Sequence, residues 1–231
     1  MLAGRRQIFV RLTECNLDCR YCDTDFEKTD MGRLESKPGS GSFINIPQPL
    51  PLHKLSAIVN DWQSQLPGAH HSVSVTGGEP LIHADALAEW FPEIRKSLPI
   101  HLETNGTMHS ALRQVKQHVD YISMDIKLPS TAGCTEQLWD LHALFLSEAH
   151  GSNVSIKVVV GELTPESEIM QVCDLISSVD AAAPLFLQPL SMPDGSIGIT
   201  AGQILHLQEL ASSRLSDVRV IPQMHKLLGA L

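Results

Sequence analysis

The chain has 231 residues, of which 43% are hydrophobic and 19% charged, and its formal net charge is -9 at pH 7. This size and composition predict one soluble domain with a single core, and an acidic chain without a basic run is not expected to bind nucleic acid through phosphate contacts. No apolar run approaches ~20 residues and MLAGRRQIFVRL is not a signal peptide, so we expect no membrane span and a cytoplasmic location.

Short β-rich runs alternate with helical patterns along the chain. We predict strands at 8–12, 72–75, 100–102, 121–124, 154–160, 185–187 and 218–221, and helices at 52–66, 84–98, 110–118, 136–150, 165–178 and 201–210. Such alternation is typical of βαβ units and a parallel sheet. We therefore predict an α/β fold, a partial (β/α)6-type barrel with parallel strands, with a full barrel or an open doubly wound sheet as the alternatives.

One segment, at about residues 25–51, breaks this alternation. It is rich in Gly, Ser and Pro and has little period, so we interpret it as an irregular loop insertion. No internal repeat and no linker divides the rest. We predict a single domain over residues 1–231.

The polar motifs of the chain each follow a predicted strand. They are RLTECNLDCRYCDT, TGGEP, ETNGT, SMDIKLPS, LQPL and IPQMHK, in chain order. In a parallel barrel the carboxyl ends of the strands meet at one mouth, where sites are built. The sequence therefore predicts that these motifs converge on one rim.

Three cysteines, Cys15, Cys19 and Cys22, lie within eight residues, in a C-x3-C-x2-C pattern. A cubane iron–sulfur cluster has four irons, so three thiolates leave one iron open for a ligand. An odd count of five cysteines argues against a disulfide framework. The alternative for the three thiols is a zinc site that uses a histidine, the nearest being His53.

The cysteine pattern followed by TGGEP resembles the radical S-adenosylmethionine (SAM) superfamily. The resemblance implies a 4Fe-4S cluster on Cys15, Cys19 and Cys22, with SAM held at the open iron. It also implies reductive cleavage of SAM to a 5′-deoxyadenosyl radical.

A longer set of motifs is similar to the 7-carboxy-7-deazaguanine synthase family, from about residue 3 to the C-terminus. These motifs are AGRRQIFVRL, CNLDCRYCDT, TGGEPL, LETNGT, MDIKLPS, IKVVV, LQPL and VRVIPQMHKLL. The resemblance implies a lyase that contracts 6-carboxy-5,6,7,8-tetrahydropterin to 7-carboxy-7-deazaguanine with loss of ammonia, for queuosine or archaeosine biosynthesis. It further implies a free pterin substrate, a reducing partner such as flavodoxin or ferredoxin, and a homodimer.

The resemblance also assigns site residues by motif position. Thr24 matches a Mg2+ ligand, and Arg11, Thr76, His225 and the terminal Leu231 match the substrate site. The SAM-contacting positions are Tyr21, Asp23, Gly78, Glu79, Asn105, Ser123, Asp125, Lys127 and Gln188. Among these, Glu79 is expected to pair with an ammonium group.

Two positions depart from the family pattern. The family usually begins with a strand bearing a QGEG-like segment that touches the pterin, and this sequence starts just past it, so either the true N-terminus lies upstream or the pterin pocket is incomplete. Glu14 stands where the family commonly has glycine. Two alternative functions stay open: a radical SAM activase of a glycyl-radical enzyme, and a non-enzymatic zinc-binding module.

Overall fold

The computed structural model describes residues 2–22, 24, 27–133, 138–224 and 226. The strands are β1 Gln7–Leu12, β2 Met31–Glu35, β3 Phe43–Pro47, β4 Ser72–Gly77, β5 Ile100–Thr104, β6 Tyr121–Ile126, β7 Val154–Val160, β8 Leu185–Pro189 and β9 Val218–Val220. The helices are α1 Leu52–Gln65, α2 Ala84–Ile94, α3 His109–Val115, α4 Pro129–Ala132, α5 Leu138–Ala149, α6 Glu166–Asp180 and α7 Ala201–Ser212. No helix of these described residues is long and apolar enough to cross a membrane.

Seven strands form one parallel sheet in the order β1-β4-β5-β6-β7-β8-β9, so neighbours in the sheet follow each other along the chain. A doubly wound sheet would need a reversal of strand order, and none occurs here. Because βα crossovers are right-handed, a sequential order places the covering helices on one face. β1 and β9 are the two edges of the described sheet. The prediction of an α/β fold with a partial barrel of parallel strands is therefore confirmed.

The two faces of the sheet differ in polarity, as β6 illustrates. Ile122, Met124 and Ile126 are buried and belong to the core that the sheet shares with the helices. Ser123 and Asp125 alternate with them and lie on the opposite, concave face. A parallel strand covered on both sides reads as a nearly continuous apolar run, so this alternation leaves the concave face free to hold a polar site.

The predicted irregular loop at 25–51 is corrected by the structure. Within it, β2 and β3 pair as an antiparallel hairpin, in register from Met31 with Pro47 to Glu35 with Phe43. Most residues of this hairpin are exposed, so neither strand carries the buried alternation that a sequence pattern detects. The other predicted strands and helices are confirmed within a few residues at their ends, whereas the short helix α4 was not predicted.

Candidate active site

A cavity of about 600 Å³ opens at the carboxyl ends of the parallel strands. This volume lies within the ~300–1,000 Å³ that is typical of small-molecule sites. The predicted site residues that line it are Arg11, Cys15, Cys19, Tyr21, Cys22, Thr24, Thr76, Gly78, Asn105, Ser123, Asp125, Lys127 and Gln188. The predicted convergence of polar motifs on one rim is present in the fold.

The cysteine loop follows β1 and turns tightly. The Cys22 N–H donates to the carbonyl of Cys19 at 3.0 Å, and the Arg20 N–H donates to the carbonyl of Ala132, at the end of α4, at 3.1 Å. Gly133, which follows α4 at φ +75, lies so close that a Cβ there would be 2.5 Å from Arg20 Nε. The loop is therefore anchored on α4 while all three thiols line the cavity.

The three thiols have the chemistry of iron–sulfur ligands. Among the described residues, no three His, Cys, Asp or Glu side chains are placed to hold one metal ion. In a cubane each thiolate binds a different iron, so the sulfurs stand farther apart than around one zinc. Burial raises the pKa of the Cys15 thiol, whereas the Leu17 N–H that donates to the sulfur opposes this shift. None of the three forms a disulfide.

The TGGEP motif packs directly against the cysteine loop. The N–H groups of Gly78 and Glu79 donate to the carbonyls of Leu12, at 3.1 Å, and Glu14, at 2.8 Å. A Cβ on Gly78 would lie 2.0 Å from the Glu14 carbonyl oxygen, so only glycine allows this approach. The glycines therefore fix the backbone that carries the first thiol.

The Glu79 carboxylate is fully buried and bound within the protein. It accepts hydrogen bonds from the N–H groups of Leu81, at 3.0 Å, and Asn105, at 2.7 Å, and from the Thr104 hydroxyl at 2.9 Å. Burial raises the pKa of Glu79, and these donors oppose the shift. Unlike the other predicted SAM contacts among the described residues, this side chain does not line the cavity, and it links the end of β4 to the end of β5.

ETNGT is tied to the cysteine loop as well. The Asn105 amide donates to the Asn16 side-chain oxygen at 2.8 Å, and the Asn16 amide donates to the Thr107 hydroxyl at 2.9 Å. Together with Glu79, these bonds join three motifs into one unit. We call this unit, residues 12–16, 77–79 and 104–107, the motif junction.

A charged cluster lies on the concave face beside the cysteines. Lys127 Nζ is 2.8 Å from Asp125 Oδ2, Lys157 Nζ is 3.0 Å from the same oxygen, and Lys127 donates to the Tyr21 hydroxyl at 3.1 Å. Burial alone would raise the pKa of Asp125, but the two ammonium groups outweigh it and hold that pKa below its ordinary value. The cluster supplies buried positive charge next to the thiols.

A histidine on α5 contacts the charged cluster through the backbone of Lys127. His142 is fully buried, its Nε2 accepts from the Lys127 N–H at 3.1 Å, and its Nδ1 lies 3.0 Å from the Gly106 carbonyl. These partners require a neutral ring with the proton on Nδ1. Burial lowers the pKa of His142 to about 4, so the ring stays neutral.

Comparisons with known proteins place the chain in a family. The radical SAM superfamily pattern matches residues 10–142. The chain is 47% identical to the 7-carboxy-7-deazaguanine synthase of Geobacter sulfurreducens, over 100% of this chain and 92% of that protein. It belongs to the 7-carboxy-7-deazaguanine synthase family. The synthase of Methanothermobacter thermautotrophicus is 34% identical over 99% of this chain and 92% of its own length.

Solved structures share the fold of this synthase-family chain. A radical SAM methyltransferase from Sphaerobacter thermophilus superposes with a TM-score of 0.63 at 13% identity, covering 97% of this chain and 67% of that one. A structure described as native anSMEcpe with bound AdoMet gives a TM-score of 0.55 at 16% identity, over 92% and 64%. Membership of the radical SAM superfamily implies a 4Fe-4S cluster and SAM as cofactors.

The two predicted substrate-binding residues Arg11 and Thr76 are register partners across β1 and β4, and both line the cavity. Of the remaining predicted residues, Asp23, His225 and Leu231 lie outside the described part of the chain. The roles of the whole set stay predictions.

Several cavity residues were missed by sequence reasoning. His101 and Glu103 on β5 and Lys157 on β7 line the cavity, and His142 lies behind it. Polar residues at alternate positions of IHLET and SIKVVV are the signal that was available, because a strand buried on both faces would not carry them. His142 carries no such signal, since its position on α5 becomes meaningful only through its contacts.

Proposed function

We propose that this chain converts 6-carboxy-5,6,7,8-tetrahydropterin to 7-carboxy-7-deazaguanine with loss of ammonia, for queuosine or archaeosine biosynthesis. The observation that carries the proposal is the meeting of three cysteine side chains, the Arg11–Thr76 pair and the charged cluster in one cavity. The full-length similarity to named synthases supports it.

Cys15, Cys19 and Cys22 would hold the 4Fe-4S cluster, whose chemistry when bound is one-electron cleavage of SAM at the open iron. The residues around the thiols do the positioning. The motif junction holds the cysteine backbone, and Lys127 with Tyr21 forms a polar wall next to the thiols. Gly78 and Gln188 also line the cavity.

Arg11 and Thr76 fit the pterin, which carries a carboxylate. A guanidinium forms paired hydrogen bonds with a carboxylate, and Thr76 adds a hydroxyl at the neighbouring position of the sheet. Loss of ammonia balances the conversion of the pterin to the deazaguanine, so no net oxidant is required. The cavity has only to hold the pterin and exclude water while the ring contracts.

Thr24 is the proposed Mg2+ ligand. The described residues offer no cluster of carboxylates for a cation, but Mg2+ commonly keeps several waters and uses one or two protein oxygens together with the substrate. A cavity-lining Thr24 hydroxyl and the pterin carboxylate fit that donor set. We propose as well that the protein is a cytoplasmic homodimer reduced by a flavodoxin or a ferredoxin, as the family resemblance implies.

The test is anaerobic turnover. Cluster-loaded protein is incubated with SAM, Mg2+, dithionite and the carboxy-tetrahydropterin, and products are identified by mass spectrometry. We expect 7-carboxy-7-deazaguanine and ammonia in equal amounts, and none from a Cys19→Ala variant. An intact cluster that cleaves SAM but leaves the pterin unchanged would defeat the synthase assignment and favour another radical SAM activity, such as an activase.

A further inference from the structure

Lys157 is the one member of the charged cluster that the family resemblance leaves without a role. It is the register partner of Asp125 across the β6–β7 pair. Both side chains lie on the concave face of the sheet and line the cavity. Its ammonium group lies 3.0 Å from Asp125 Oδ2. Its position is therefore fixed by the sheet register and by one ion pair.

Asp125 pairs with both ammonium groups of the cluster through one of its oxygens. Lys127 and Lys157 share the single oxygen Oδ2, at 2.8 and 3.0 Å. The other oxygen, Oδ1, is buried and has no hydrogen-bond partner among the described residues. Two ammonium groups thus share one carboxylate oxygen, and charged groups out of water are stabilised by further hydrogen-bonded counter-charges. An anion in the cavity would supply such a counter-charge.

The two lysines are not equivalent. Lys127 also donates to the Tyr21 hydroxyl and lies 5.2 Å from the centre of the Tyr21 ring, so the protein already surrounds it. The Lys157 side chain is 23% exposed against 12% for Lys127. An ammonium group has three N–H donors, and Asp125 accepts one from Lys157. The remaining donors of Lys157 are those available to a ligand.

We propose that Lys157 binds a carboxylate of the ligand in the cavity, with Asp125 as the positioning residue that holds its ammonium group. The carboxylate has two possible sources under the proposed function: the methionine part of SAM and the pterin. Both carry the same chemistry, and binding measurements distinguish them. Arg11, the proposed partner of the pterin carboxylate, lies on the edge strand β1, whereas Lys157 lies on β7, toward the other end of the sheet. A carboxylate bound to Lys157 would therefore lie at a different place in the cavity from one bound to Arg11.

The experiment compares ligands with and without the carboxylate, on anaerobic, cluster-loaded protein and without turnover. S-adenosylhomocysteine and its decarboxylated analogue form one pair, and 6-carboxypterin and pterin form the other. Dissociation constants are measured for the wild type, Lys157→Met and Lys157→Arg. Lys96→Met is the matched control, because Lys96 is an exposed lysine, 71% exposed, whose ion-pair partner is Glu93.

We expect Lys157→Met to weaken one carboxylate-bearing ligand at least about tenfold, the range of a lost charge-assisted hydrogen bond, and to leave its carboxylate-free analogue unchanged. Loss for S-adenosylhomocysteine assigns the methionine carboxylate, and loss for 6-carboxypterin assigns the substrate. Lys157→Arg should stay within about threefold of the wild type, because it keeps the charge and its donors. Lys96→Met should change neither pair.

Equal weakening of both members of a pair, or no weakening in either pair, would overturn the proposal. Equal weakening together with a lower thermal midpoint would mean that Lys157 only stabilises the fold. If Lys157→Met does not retain its cluster, Lys157→Gln carries the same expectation. Because no turnover is measured, a failure of the synthase reaction leaves this result interpretable.

Discussion

Thr24 lies two residues after Cys22, the third cysteine of the motif, and its hydroxyl is the candidate Mg2+ ligand. We expect Thr24→Ala to reduce the magnesium stimulation of turnover at least tenfold, because the candidate ligand oxygen is lost. Thr24→Ser keeps the oxygen and should retain most of it. Turnover rate against magnesium concentration measures both. An unchanged magnesium dependence in Thr24→Ala would remove the assignment.

Glu14 is a non-glycine residue in the left-handed region, at φ +70. Relief of that strain is worth ~1–2 kcal/mol, while the extra backbone freedom of glycine costs ~0.5–1 kcal/mol. We expect Glu14→Gly to raise the free energy of unfolding by up to about 1 kcal/mol, or a few degrees in thermal midpoint. Glu14→Ala keeps the Cβ and should give no gain. A lower midpoint for Glu14→Gly would show that the side chain, which pairs with Lys28 at 3.0 Å, matters more than the strain.

His142 makes stability depend on pH. Its pKa is about 4 in the folded protein and ~6.5 in an unfolded chain, so between these values the unfolded state takes up the proton. Above pH ~6.5 His142 is neutral in both states and does not lower the free energy of unfolding. As the pH falls toward about 4, protonation of His142 in the unfolded state lowers the free energy of unfolding by up to about 3 kcal/mol.

We therefore expect His142→Gln, which keeps one donor and one acceptor but does not titrate, to lose less thermal stability than the wild type between pH 7.5 and pH 5.5. Thermal midpoints of the cluster-loaded protein under anaerobic conditions give the comparison. Parallel pH curves for the two proteins would mean that His142 is not a source of the dependence.

At the scale of elements, the motif junction depends on Glu79. Glu79→Gln places an amide where two N–H groups and a hydroxyl now donate, so at least one buried donor loses its acceptor. Such a loss costs ~1–3 kcal/mol. We expect a thermal midpoint several degrees lower and a smaller fraction of bound cluster, from iron and sulfide analysis. Glu89→Gln, on the exposed face of α2, is the control and should change neither quantity.

The elements show what a single sequence can and cannot reveal. Strands such as β6 and β7 alternate or run apolar, and their helices carry apolar stripes, so their order and the rim of polar motifs were predicted correctly. The β2–β3 hairpin was missed because its residues bury little. Lys157 was missed because a lone lysine is usually solvated, and only the sheet register places it opposite Asp125.

For the whole molecule, the hairpin Met31–Pro47 is an addition to the barrel. Its ends meet, since the Gln48 N–H donates to the Asp30 carbonyl at 2.9 Å, and Phe43 and Ile44 are exposed. We expect replacement of residues 31–47 by a short Gly-Ser linker to shift the thermal midpoint by less than about 3 °C. S-adenosylhomocysteine affinity should be unchanged. A larger loss of stability would show that the hairpin supports the barrel.

The motif junction also bears on biogenesis. Asn16, beside the first thiol, bonds to Thr107, 91 positions later in the chain. At ~5–20 residues per second, a ribosome adds the second residue roughly 5–18 s after the first. The three cysteines are therefore synthesised seconds before the residues that hold their loop in place. We expect the cluster to be inserted after the first half of the chain has been translated. Until then, the thiols are exposed to oxidation.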